Sequence, residues 1–176
     1  MKLSDKGPNA PPPVLSKHLQ YASDRIQLWP NVIAATHWDL YSPSKVDGAD
    51  FYLGDDEVGH IHLHGEVHIP LTAHDHGFAI AAGLARPFQY GAFGSGTYRF
   101  WIEADVRNAA EADIAVTLFE MSYRRSIGSL NTSPQMSALK KKAAGNGGQP
   151  PSTSMNRGRP QETNQSAVTK ADFALT

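Results

Sequence analysis

The sequence predicts an α+β domain in which helices pack on one face of a small antiparallel sheet. Three observations carry this. Runs that alternate apolar and polar residues follow one another without a helix between each pair, so regular βαβ order is excluded. Helical periodicity is concentrated in one segment near the N-terminus and one beyond Asn108, with a short stretch after Thr72. Turn-forming sequences such as "GDDE" and "HGE" join the alternating runs.

The elements follow in order. Pro11 to Pro13 suit a helix start, where a missing N–H costs nothing. Val14, Leu15, Leu19, Ala22, Ile26 and Trp29 then recur at helical spacing until Pro30. In "NVIAATHWDLY", Val32, Ala34, Thr36, Trp38 and Leu40 share one side of a strand, with His37 and Asp39 on the other. "ADFYL" is a second strand, and "GDDE" turns the chain into "VGHIHLHGEVHIPL". Thr72 is a candidate N-cap for a short helix over "AHDHGFAIAAGLA", and "GTYRFWIEA" reads as a later strand. Asn108 and Glu111 form a capping pair for the last helix. Ile114, Leu118, Phe119 and Met121 are its apolar stripe, Arg124 and Arg125 suit its C-terminal dipole, and Gly128 is its expected stop.

A chain of 176 residues suits one domain. Sixteen basic and seventeen acidic residues leave a formal net charge of −1, so neither nucleic acid nor an anionic membrane surface is expected as a partner. Cysteine is absent, which excludes disulfides, thiolate catalysis and Cys-ligated metals. The start "MKLSDKGPNAPPP" is not a secretory signal, and nowhere do about 18 apolar residues run together. The expectation is a cytoplasmic protein with no membrane span. Composition turns to Gly, Pro, Ser, Asn and Gln near Ser133. The chain therefore divides into a flexible N-terminus (1–10), a folded unit (11–130) and a disordered tail (131–176). No phosphate-binding glycine loop and no serine nucleophile elbow occur.

Residues 58–77 hold six of the eight histidines. In a strand, His60, His62 and His64 point one way and Ile61 and Leu63 the other. A two-residue turn would mix Val67 and Ile69 with His60 and His62. A three-residue turn at His64–Glu66 pairs Leu63 with Val67, Ile61 with Ile69 and His62 with His68. One face is then aliphatic, and His60, His62 and His68 share the other. His64 falls at the turn, and His74 and His76 lie on different faces of a helix. Three converging imidazoles suit either a zinc, iron or copper site or unmetallated acid–base chemistry near neutral pH. A wet sheet face that merely carries histidine is the plain alternative.

"DDEVGHIHLHGEVHIPL", "GLARPFQYGAFGSGTYRFWI" and "ADIAVTLFEMSYRR" resemble the luciferase-domain family over roughly residues 50–125. That family includes the 3-hydroxyhispidin luciferase of luminous fungi and bacterial relatives. The resemblance implies O2-dependent oxidation of an enolisable pyrone-like or aromatic small molecule, without an organic cofactor. Such chemistry needs a base to form the enolate and a dry pocket around it. His60, His62 and His68 match the family's histidines and are the implied catalytic residues, and Arg99, Phe88 and Trp101 are the candidate substrate contacts. No cofactor is expected, and the alternative is a divalent metal on His60, His62 and His68. Phe88 stands where many relatives carry histidine, "GLA" at 83–85 replaces "GWG", and an apolar N-terminal anchor is missing. Light emission is therefore not expected, and a non-catalytic binding or accessory module is the second reading. The oligomeric state is left open.

Overall fold

The computed structural model describes residues 7–89, 96 and 98–132. The elements run α1 (Lys17–Gln27), β1 (Val32–Trp38), β2 (Val46–Leu53), β3 (Asp56–His62), β4 (Glu66–Pro70), α2 (Ala73–Ala81), β5 (Arg86–Pro87), β6 (Trp101–Asp105) and α3 (Ala109–Thr132). Among the described residues, six strands form one sheet in the order β1-β2-β3-β4-β6-β5, with every neighbouring pair antiparallel. The α+β class is as expected. Helices α1 and α3 pack on each other and on the apolar face of β1 to β4, and α2 lies beside β5.

The apolar face follows from alternation. Phe51, Ile61, Val67, Ile69 and Ile102 project toward α1 and α3 and are fully buried there. From α1 come Leu19, Ala22 and Ile26, and from α3 Ala112, Ala115, Leu118 and Phe119. Phe119 meets Phe51 edge to face, with ring centroids 5.5 Å apart. It also lies against Gly59, where a Cβ would come within 2.7 Å of its ring. The glycine of "VGHIH" thus opens the strand to the helix.

Helix ends depart from the sequence reading in two places. Helix α1 begins at Lys17 with Ser16 as N-cap, while the proline stretch runs beside β1. There the carbonyls of Ala10 and Pro11 accept hydrogen bonds from Thr36 N (2.8 Å) and Oγ1 (2.6 Å). Proline lacks only its N–H, so its carbonyl still serves a strand edge. Helix α3 starts as expected, with Asn108 Oδ1 accepting from Glu111 N at 3.0 Å, but it continues through Gly128 to Thr132. A glycine stop needs a left-handed backbone, and Gly128 does not adopt one. Arg124 and Arg125 are therefore not terminal charges. Arg124 pairs with Glu120 at 2.6 Å, and Arg125 donates to the Glu57 carbonyl at 2.8 Å.

The histidine hairpin keeps the expected odd parity but sits one residue earlier. His60 pairs with His68 and Ile61 with Val67, so the turn is Leu63, His64 and Gly65. Gly65 takes φ +108°, donates to the His62 carbonyl at 3.1 Å and accepts from Val106 N at 2.8 Å. Leu63 is half exposed in this turn, and its N–H donates to the Asp47 carbonyl at 2.8 Å. Moving the turn by one residue on both sides preserves which side chains share a face. The expected flexible and disordered ends fall largely on residues 1–6 and 133–176, outside the described residues.

Candidate functional site

On the sheet face away from α1 and α3, the three sequence-identified histidines meet. Ring centroids are 5.0 Å apart for His60 and His62, 4.9 Å for His60 and His68, and 4.6 Å for His62 and His68. His60 Nε2 and His62 Nε2 stand 2.9 and 3.2 Å from His68 Nδ1. A fourth ring joins them. His37 stacks on His60 at 4.3 Å with 9° between planes and meets His62 edge-on at 4.8 Å.

Strand order explains how His37 arrives. Gly48 of β2 pairs with His37 on one side and His62 on the other. With no side chain between them, the two rings close across the middle strand. Gly48 has φ +156°, and a Cβ there would fall 1.8 Å from the Ile61 carbonyl oxygen, so the register requires glycine.

Each imidazole has its outward nitrogen on a carboxylate. His60 Nδ1 donates to Glu57 Oε1 (2.8 Å), His62 Nδ1 to Asp47 Oδ2 (2.7 Å), His37 Nδ1 to Asp50 Oδ1 (2.8 Å) and His68 Nε2 to Glu66 Oε1 (3.0 Å). Glu57 reaches His60 because β3 bulges opposite Phe51 and Tyr52, which puts both on one face. This gives Glu57 a role. All four rings keep 12 % or less of their side-chain surface exposed, so their polar atoms must be satisfied inside the cluster.

Burial dominates the electrostatics. His62 is held down to about 4 by burial, then by repulsion from His68 and His37, against the pull of Asp47. Burial also lowers His68, with Glu66 opposing. Burial alone would raise Glu66, but the hydrogen bond and charge of His68 bring it below the usual carboxylate range. At neutral pH His62 and His68 are thus neutral, each with one ring nitrogen carrying a lone pair. Donor atoms of His37, His60 and His62 lie within 4.8 Å of one another, as do those of Glu66, His68 and Glu103.

The expected substrate contacts separate. Phe88 stands 4.7 Å from His68 and Trp101 5.8 Å from His60, and Tyr98 bridges these two aromatics at 5.8 and 5.4 Å. A cavity of about 220 Å³ reaches Glu57 and Trp101 from the side of Leu71, Phe100 and Arg125. Arg99 is exposed, with its guanidinium 5.2 Å from the Phe100 ring. Beside the cluster stands Arg86 instead, bonded to Glu103 Oε1 (2.7 Å) and Asp105 (3.1 Å) and 3.5 Å from Glu66. His64 and His74 are exposed.

Sequence reasoning misses His37, Asp47, Asp50, Glu66 and Arg86. His37 is legible as the polar side of its strand, but its partners depend on β2 lying between β1 and β3. Residues 55–122 match the family model described as Luciferase domain. That stretch holds His60, His62, His68, Phe88, Arg99 and Trp101, while His37, Asp47 and Asp50 precede it. No curated protein and no solved structure matches the chain. Among the described residues, no helix is long and apolar enough to cross a membrane.

Proposed function

We propose, from the match of residues 55–122 to the Luciferase domain model, that the histidine face binds a flat, enolisable hydroxy-aromatic or pyrone-like molecule and promotes its oxidation by O2. The observation that supports this most is the array of four buried imidazoles, each backed by a carboxylate and bordered by Phe88, Trp101 and Tyr98. In the reaction, the substrate hydroxyl gives its proton to the imidazole–carboxylate array. The enolate carbon bonds one oxygen of O2, which is reduced to the peroxide level by the enolate electron pair. Return of the proton yields a hydroperoxide, so no further reductant is needed. The imidazole that takes the proton becomes a cation beside the enolate and stabilises it, and the aromatic border limits water.

The measurement is oxygen uptake with hydroxypyrones and hydroxycoumarins, wild type against His62→Ala. The expected result is substrate-dependent uptake reduced at least tenfold in the variant; equal rates would remove the catalytic reading. A second reading is favoured by Phe88, which adds apolar surface 4.7 Å from the His68 ring. On that reading the domain binds the same class of ligand without turnover. Fluorescence quenching of Trp101 by the ligand, with no oxygen uptake, would identify it.

A further inference from the structure

We propose that the inner nitrogens of His60, His62 and His68 hold one divalent transition-metal ion, with His37 beside it. The inference goes beyond the oxidation reading and stands without it. Its basis is a count of protons. A neutral imidazole has one N–H, and a carboxylate can only accept. The N–H of His60 is directed to Glu57, that of His62 to Asp47 and that of His68 to Glu66. Nε2 of His60 and Nε2 of His62 therefore each turn a lone pair toward Nδ1 of His68, at 2.9 and 3.2 Å.

Lone pairs this close repel unless a cation lies among them. A single proton can bridge only one of the two contacts at a time, because both share His68 Nδ1. A metal ion satisfies both at once. Imidazole nitrogens about 2.1 Å from a common ion are about 3.0 Å apart at a right angle and about 3.4 Å apart at the tetrahedral angle. The observed spacings fall at this range. Carboxylates on the outer nitrogens also fix each tautomer and raise ligand basicity, the usual support of metal-bound histidine.

The neighbouring Glu66, His68 and Glu103 group provides the contrast. There Arg86 stands 2.7 Å from Glu103 and 3.5 Å from Glu66, so a side-chain cation already serves those donors. An all-imidazole donor set suits Zn²⁺, Fe²⁺, Co²⁺, Ni²⁺ or Cu²⁺ and disfavours Mg²⁺ and Ca²⁺.

The test uses the full chain without an affinity tag, stripped by chelator and titrated with Co²⁺, Zn²⁺ and Mg²⁺. One Co²⁺ per chain with visible ligand-field absorption is expected, displaced by Zn²⁺ and not by Mg²⁺. The thermal midpoint should rise with Zn²⁺ concentration, because the ion binds the folded state. His68→Asn and His62→Ala should each lose the absorption and at least tenfold in affinity, and His74→Ala should lose neither. A folded wild type with no cobalt absorption and no midpoint shift overturns the site, as does binding that survives His68→Asn but not His74→Ala. These readouts need no substrate. Metal binding without oxygen uptake would defeat the oxidation reading alone, and oxygen uptake by the chelated protein without metal binding would defeat this one alone.

Discussion

On one face of the sheet, Phe51, Ile61, Val67, Ile69 and Ile102 are fully buried against α1 and α3. On the other, His37, His60, His62 and His68 are nearly as buried, yet they touch one another and carboxylates. The same strands build both. The first face gains free energy from every methylene removed from water. The second has desolvated ionisable groups, and its hydrogen bonds largely replace those made to water. One face therefore holds the fold, and the other is held by it.

The sharpest way to break the comparison is a matched pair of truncations. Phe119→Ala removes a fully buried ring that packs on Phe51 and Gly59, and a loss of about 3–5 kcal/mol is expected. His62→Ala removes a group that burial disfavours in its charged form, and a change of about 1 kcal/mol or less is expected. Urea unfolding of both variants gives the numbers. At temperatures where Phe119→Ala remains folded, it should keep the cobalt absorption that His62→Ala loses. Equal destabilisation by the two would mean that the polar face also carries the fold.

Acid should separate the faces next. In the metal-free protein, His62 titrates at about 4 when folded, against an ordinary value of 6.5. Between these values the unfolded chain binds more protons, so stability rises with pH across that window. The contribution is intact above the ordinary value, drains as pH falls and is gone below about 4. His68 shifts in the same direction. The depressed Glu66 also favours the folded state less once protonated. Facing these groups are His37, His60, Asp47, Asp50, Glu57, Glu103 and Arg86. The thermal midpoint of chelated protein should fall from about pH 7 to about pH 5, with a shallower slope in His62→Ala. A flat profile, or the same slope in both proteins, would count against burial as the main cause of the depressed imidazoles.

The faces also differ in how far the sequence displays them. Period-two alternation in Ile61, Val67 and Ile69 marks the apolar side directly, and parity of the hairpin places His60, His62 and His68 opposite it. Neither step needs long-range knowledge. The turn itself lies one residue earlier than "HGE" suggests because Gly65 is anchored by Val106, more than forty positions later. His37 is out of reach for a similar reason: only the order β1-β2-β3, with Gly48 between two rings, brings it to the cluster. Asp47, Asp50 and Glu66 are ordinary surface-type residues until strand pairing seats them behind imidazoles. Arg99 stands out in sequence by its place beside an expected strand, but it lies exposed, and the arginine next to the cluster comes from the short edge strand β5.

The smallest expected effect has the opposite sign and concerns the helix behind the apolar face. Gly128 reads in sequence as a helix stop, yet α3 passes through it with an ordinary helical backbone. A glycine in that position keeps more freedom in the unfolded chain than alanine would, and so loses more on folding. The site is exposed, and an added Cβ would meet nothing within 4 Å, so alanine introduces no clash. Gly128→Ala should therefore stabilise the domain by about 0.5–1 kcal/mol, read as a higher urea midpoint at unchanged slope. Cobalt binding should stay as in the wild type, since Gly128 is exposed and an added Cβ there would meet no neighbour. A destabilised variant would show that the helix ends at Gly128 in solution, as its sequence alone suggests.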